Sequence, residues 1–258
     1  MITILSPAKS INFEEPAPSA IFTIPTFLTD SQRLIRILKK LNKTEIMNLM
    51  SVSEGIAEVN KARYQSFKAP FDLDNAKQAL FAFSGEVFRH MRLNTYDSET
   101  LAFAQNNLRI LSGLYGYLRP LDLIQPYRLE MKTALSNPRG VNLFQFWGDR
   151  ITIAINKDLK SDPSPVLINL ASKEYAKAVN FKAIKAPVIS IDFKELENGK
   201  AKIITIFAKR ARGMMADFII QNRLSNPEDI KSFDVADYQY SQEDSSESHW
   251  VFLRPRPK

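Results

Sequence analysis

Residues 108–131, LRILSGLYGYLRPLDLIQPYRLEM, constrain the fold more than any other stretch. An apolar run with strand character, Leu108 to Leu111, is followed at once by Gly113, Gly116, Pro120 and Pro126. Glycine permits positive φ and close backbone approach, and proline fixes φ at about −65°. The segment is therefore neither one long helix nor one long strand. It stays apolar and aromatic through Tyr115, Tyr117 and Tyr127, unlike a loose surface loop. The expectation is a strand that enters the core and emerges as an ordered loop bearing Arg119, Asp122, Arg128 and Glu130, and ordered loops on a rigid scaffold are where function concentrates. Two roles stay open for those charges: ion pairs that lock the loop, or a functional mouth.

Other strands flank it. MITIL at 1–5 is a short buried strand stopped by Pro7 of SPAKS, with Lys9 as a candidate anion ligand. VLINLAS at 166–172 is continuously apolar, the pattern of a strand buried on both faces. It ends at Ser172-Lys173-Glu174-Tyr175, a helix N-terminus, and such junctions are where open α/β sheets bind ligands. Residues 187–196 and 201–207 form a hairpin about Asn198-Gly199. The second strand runs into AKRARGMMADFIIQNRL, which places Lys209, Arg210 and Arg212 at a strand-to-helix junction, ahead of a helix over 213–224. Cations there oppose the helix dipole, and a bound anion would account for them. Tyr238–Tyr240 and Trp250–Leu253 are two final strands.

The helical signals begin after an irregular connection at 11–28. Thr29-x-x-Gln32 opens a helix with Leu34, Ile35 and Leu38 inward; Thr44 caps a second; Ser51-x-x-Glu54 opens a third that carries Arg63. Two short helices joined tightly, the second with basic residues, suggest a helix-hairpin-helix element, whose hairpin amides hold a DNA phosphate. The aligned triplet, Ser53-Glu54-Gly55, keeps one glycine where that motif has two; an ordinary helical pair is the alternative. Asp72 or Asp74 caps a helix through Leu80, and Asp97 another to Asn106. Asn142-x-x-Gln145 opens a helix with Trp147 and Ile151 inward and Asp149 on or beside it, ended by Pro163 and Pro165. The expected fold is a single mixed α/β domain over 1–258, a mixed sheet flanked by helices, with the helical unit 29–66 projecting from it.

Charge adds a partner class. The net charge is +7, but residues 228–247 carry seven acids and one base, a net of −6 that leaves +13 on the remainder. A basic body suits a phosphate-bearing partner; the acidic stretch fits a surface loop or a cover over a basic site. The absence of cysteine excludes disulfides and thiolate chemistry. No run reaches the ~20 apolar residues of a membrane span, and the N-terminus lacks a basic leader region, so a cytoplasmic chain without a membrane partner is expected. His90 and His249 stand far apart, and no metal-ligand spacing, Walker loop, G-x-G-x-x-G or G-x-S-x-G occurs; neither metal nor cofactor is expected.

SPAKS at 6–10, LSGLYGYLRPLDLIQPYRLEM at 111–131, FWGD at 146–149, INLASKEY at 168–175 and FAKRARGMMADFII at 207–220 together resemble the YaaA peroxide-stress protein family, in order along nearly the whole chain. The resemblance implies a cytosolic protein that protects against hydrogen peroxide and damage from free iron. It also implies a mixed α/β fold with a helix-hairpin-helix element and a positively charged cleft that binds double-stranded DNA, intact, bulged or damaged. It assigns no reaction. Two hypotheses follow. A DNA-binding protein would use Lys9, Arg63, Lys209, Arg210 and Arg212. An enzyme acting on a nucleotide or nucleic-acid base would gather Arg119, Arg128, Glu130, Asp149, Lys173, Glu174 and Tyr175 into one pocket, since carboxylates beside cations serve acid–base work on phosphorylated substrates.

Overall fold

A computed structural model describes residues 1–162 and 164–257; Pro163, expected to help end a helix, lies outside the described residues. In chain order, β1 (Ile2–Leu5) is followed by α1 (Leu28–Leu38), α2 (Lys43–Met50), α3 (Glu54–Ser66), β2 (Lys77–Gln78), α4 (Ala79–Ala82), α5 (Glu86–Arg89) and α6 (Ser98–Asn107). Next come β3 (Leu108–Ser112), β4 (Gly116–Leu118), β5 (Leu123–Ile124), α7 (Leu143–Trp147), α8 (Arg150–Lys160), β6 (Leu167–Asn169) and α9 (Lys173–Ala176). The last elements are β7 (Val188–Glu197), β8 (Lys200–Lys202), α10 (Thr205–Gln221), β9 (Gln239–Ser241) and β10 (His249–Pro255).

The fold is mixed α/β. The main sheet runs β4-β3-β1-β6-β7-β10-β9, with β8 paired to the far end of β7. The five strands from β3 to β10 are parallel, and antiparallel β4 and β9 close the edges. β1 and β3 are buried along their whole length, as parallel strands covered on both faces are; α6 and α8 both pack on β1. β2 and β5 form a separate two-stranded ladder. The buried side chains of α1–α3, such as Leu34, Ile46 and Tyr64, belong to the same apolar cluster as the sheet. Among the described residues, no helix is long and apolar enough to cross a membrane.

Several local expectations move by a few residues, each for an identifiable reason. Thr29 caps nothing: α1 starts at Leu28 behind Phe27, with no side-chain cap. The cap of α2 is Asn42, not Thr44, in a reciprocal capping box with Glu45. Ser51 ends α2 in the left-handed region (φ 51°) instead of opening α3, so Glu54 and Gly55 fall inside the first turn of α3 and the Ser53-Glu54-Gly55 triplet is not the hairpin turn. Asp72 accepts from the Asp74 and Asn75 amides in a tight turn, and the helix expected through Leu80 gives way to strand β2 at Lys77–Gln78, with only Ala79 and Leu80 helical at the start of α4. Asn142 does cap, but Gly148, at φ 48°, breaks the expected helix into α7 and α8.

The largest shift concerns the basic triplet. The Asn198-Gly199 turn is present, both residues at positive φ, but β8 ends at Lys202 and α10 begins at Thr205. Lys209, Arg210 and Arg212 are therefore inside a helix, not ahead of one, and the amides of that turn are committed to intrahelical bonds. The free-amide contribution expected at their position is absent.

α10 also sets the packing of the site. Its Gly213 sits so close to α5 that a Cβ there would lie 2.0 Å from the Val87 carbonyl oxygen. Gly213→Ala is expected to push the two helices apart and cost about 1–3 kcal/mol of stability, the usual range for overpacking. Urea unfolding measures it; an unchanged midpoint would mean that α5 is not held against α10 as described.

Candidate functional site: a cleft at the carboxyl ends of β1 and β6

β1 and β6 are neighbours, and the chain leaves them in opposite directions: from β1 towards β3 on one side, from β6 to β7 on the other. Such a reversal opens a crevice beyond the carboxyl ends of the strands. Here it is a cleft of about 320 Å³ floored by Ser6, Ala8, Leu170 and Ser172. The Ser172 amide donates to Ser6 Oγ (2.8 Å) and Ser6 Oγ donates to Ser172 Oγ (3.1 Å), which pins the two strand-end loops together.

One wall is built by α5 and α10. Gly85 lets the start of α5 lie against the SPAKS turn, since a Cβ there would come 2.7 Å from Ala8 Cβ. Gly213 admits α5 on the other side. Arg89, Lys209 and Arg212 line this wall. Arg210 points elsewhere: its Nε donates to Glu86 Oε2 (2.8 Å), tying α5 to α10. Helical geometry explains the split, because residues three apart share a face and adjacent ones do not.

The opposite wall is built by Glu130 and α9. At the end of β3, Gly113 leaves room for the Leu129 carbonyl, which a Cβ would meet at 2.2 Å. Tyr127 hydroxyl and Ser112 Oγ share a hydrogen bond of 2.7 Å, and the Tyr64 hydroxyl donates to the Arg128 carbonyl. These contacts fix the chain so that Glu130 reaches the cleft. Glu174 and Tyr175 stand beside it, and the Lys132 amide donates to Glu174 Oε1 at 3.3 Å.

The electrostatics are uneven. Glu130 contacts Lys9 at 2.9 Å, Arg128 at 3.1 Å and Lys132 at 3.8 Å. Burial opposes its ionisation, but the hydrogen bonds and charges of Lys9 and Arg128 outweigh burial and hold the carboxyl below its ordinary range. Burial pushes the Tyr175 phenol well up, so it stays a neutral hydroxyl. Burial lowers the Arg212 guanidinium, with Asp192 acting against that; the Arg212–Asp192 contact is 4.0 Å long.

The cleft thus draws from both predicted sets. Lys9, Lys209 and Arg212 come together with Glu130, Glu174 and Tyr175, and Arg128 supports Glu130 from behind. Arg119 does not join them: it clamps Asp122, which is wholly buried and also accepts from Thr23 Oγ1 at 2.6 Å, so this pair locks the loop. Arg63 stands on α3 near Asn60. Asp149 and Lys173 are exposed and outside the cleft lining. No residue of the acidic 228–247 stretch lines it either; that stretch supplies edge strand β9. The sequence did not single out Arg89 or Ser6 as site residues, because a lone exposed arginine and a strand-end serine carry no local signal. A larger recess of about 560 Å³ lies between residues 13–20 and 73–78. Its Lys77 is held by the Asn12 and Glu15 carbonyls, and no end of a main-sheet strand lines it. Among the described residues, no group of three or more His, Cys, Asp or Glu is placed to hold a metal ion.

Because Glu130 is held low in the folded chain, its ionisation contributes stability that is fully present above the ordinary glutamate value of about 4.3 and lost as pH falls through the lowered value. Lys9 is 58% exposed, so solvent screens its share to under about 1 kcal/mol. Lys9→Met is expected to raise the Glu130 midpoint in a ¹³C-glutamate NMR titration, and to lower stability at neutral pH but not below the titration. A midpoint that does not move would mean that Arg128 alone holds the carboxylate.

Residues 1–244 match the family described as peroxide stress protein YaaA. The chain is 49% identical over 254 residues to a "UPF0246 protein" of Shewanella baltica, covering 98% of this chain and 99% of that one. It is 48% identical over 257 residues to a "UPF0246 protein" of Cellvibrio japonicus, covering 100% of each. A third, from Hahella chejuensis, is 48% identical over 254 residues, 98% of this chain and 99% of that one. The ordered motifs, the full-length matches and the family model agree: the chain belongs to the peroxide stress protein YaaA family.

Proposed function

We propose that this member of the peroxide-stress family protects by binding DNA in the cytoplasm, with the cleft between β1 and β6 as the centre of the contact. The observation that carries this is the gathering of Lys9, Arg89, Lys209 and Arg212, from three distant parts of the chain, around one strand-end cleft. Among the described residues Arg89 and Lys209 have no ion-pair partner, so they remain available to phosphate. Glu86 is neutralised by Arg210 and Glu130 by Lys9 and Arg128. The +13 excess outside 228–247 gives the field that draws a polyanion in. Arg63 on α3 adds a contact outside the cleft. With no cysteine, protection does not run through a thiol peroxidase cycle; covering the phosphates keeps iron and its oxidants off the backbone.

Binding is expected to be largely independent of sequence and to weaken steeply with salt, because released counterions drive it. Gel shifts with intact and bulged duplex across a salt series test this. Lys209→Ala and Arg89→Ala should each flatten the log–log slope by about one unit, since each removes one phosphate contact. An affinity indifferent to salt would sink the proposal.

A second role has its own support: Glu130, Glu174 and Tyr175 share the cleft with Lys9, a carboxylate set suited to acid–base work on a nucleotide. Under it, Glu130→Ala abolishes peroxide protection in cells while DNA affinity is kept. Loss of both together, or of neither, counts against an enzyme.

A further inference from the structure

The cleft is too small to take in a double helix, so a duplex centred on it would lie across its mouth. A duplex has grooves wide enough to admit an α-helix, whereas about 320 Å³ is the lower end of small-molecule sites. Its walls also differ in sign. Lys209 and Arg212, three residues apart on α10, stand with Arg89 and the Arg210-paired Glu86 on one side; Glu130 and Glu174 stand on the other with Lys9, which pairs with Glu130. A bare phosphodiester filling this space would meet three carboxylates, Glu86, Glu130 and Glu174. On the cationic wall Arg212 is only loosely paired by protein: its nearest carboxylate, Asp192, lies 4.0 Å from Nη2, beyond hydrogen-bonding range. Arg212 lines the cleft, so an anion seated against α10 would complete the pairing of its guanidinium. Glu174, which has no ion-pair partner among the described residues, and the remaining lone pairs of Glu130 ask for the opposite, a group with N–H or O–H donors.

We propose that the cleft holds a single nucleotide, its phosphate against Lys209 and Arg212 and its base or sugar donors against Glu130 and Glu174. The inference rests on the nucleic-acid function proposed above and narrows it from a duplex surface to one nucleotide unit. Adenine, cytosine and guanine all carry amino donors that a carboxylate accepts. The nucleotide has two sources with this chemistry: free in solution, or swung out of a DNA strand, as proteins that handle single bases arrange.

Calorimetric titration with dAMP, deoxyadenosine and inorganic phosphate reads the pocket directly. A duplex carrying 2-aminopurine, whose fluorescence rises on unstacking, reads the source. dAMP is expected to bind at least about tenfold tighter than deoxyadenosine or phosphate, since each charged hydrogen bond is worth about that factor or more. Lys209→Gln should lower dAMP affinity about tenfold and leave deoxyadenosine unchanged; Glu130→Gln should lower both. A fluorescence rise that Glu130→Gln removes, with duplex affinity kept within about twofold, assigns the nucleotide to DNA. dAMP binding without any rise assigns it to the free pool, and the pocket stands. If Glu130→Gln fails to fold, the exposed Lys209→Gln carries the test alone. Duplex binding with neither dAMP heat nor a fluorescence rise overturns the pocket while DNA binding survives. dAMP binding without duplex binding keeps the pocket and overturns the DNA function. Phosphate binding as tightly as dAMP overturns the pocket as well.

Discussion

The whole arrangement depends on β1 pairing in parallel with both β3 and β6. A parallel pair cannot be joined by a tight turn, so each connection must cross over and every carboxyl end falls on one edge of the sheet. Because β1 hands the chain to one side and β6 to the other, the loops beyond them diverge and leave a crevice. SPAKS and INLASKEY are the two segments at those ends. Their meeting at Ser6 and Ser172 follows from strand order, and no local property of either segment requires it.

Small residues then decide what enters the crevice. Gly85 and Gly213 admit α5 between the SPAKS turn and α10; Gly113 admits the backbone of Leu129 and so delivers Glu130. Three glycines thus position charged groups that lie far apart in sequence. The two ion pairs of the organising segment separate by the same logic of space. Asp122 is fully enclosed, and the Arg119 amide and guanidinium and the Thr23 hydroxyl all donate to it, so burial raises its carboxyl without making it reactive. Glu130 is only lined on one side by its cations and opens to the cleft on the other. One pair is structural and the other belongs to the site, although the sequence presents them alike.

The strands were legible because buried parallel strands are continuous apolar runs: β1 and β3 stand where MITIL and LRIL were expected, and β6 takes only Leu167–Asn169 of the expected VLINLAS. Helix starts were legible where a side chain truly caps, as at Asp97 and Asn142. They misled where a serine or threonine merely sat near a helix start, as at Thr29 and Ser51. Val-Ile-Ser-Ile-Asp-Phe was clear as β7, but KIITIF was not all strand, since Thr205 and Ile206, both β-branched, take helical form at the start of α10. Of the site, the segments were visible and the grouping was not. Lys9 and Glu130 could be named separately; that they touch depends on the Gly113 approach. Arg210 was grouped with Lys209 and Arg212 by adjacency, and the helical period divides them.

The acidic stretch completes the charge pattern from a distance. It forms β9 and the turns around it, on the edge of the sheet. An exposed edge is a template for unwanted pairing, and charge is one way to blunt it. The same acids repel a polyanion, whereas Arg89 and Lys209 attract one. With −6 concentrated at one sheet edge and +13 elsewhere, the proposed DNA contact would have a preferred face, since like charge raises the energy of every approach led by β9. The orienting field is long-ranged and the cleft is short-ranged and partly acidic. Arg89 and Lys209 serve both the field and the cleft, whereas Glu130 and Glu174 act only within the cleft, so salt should weaken attraction to the polymer more than selection of what enters the cleft.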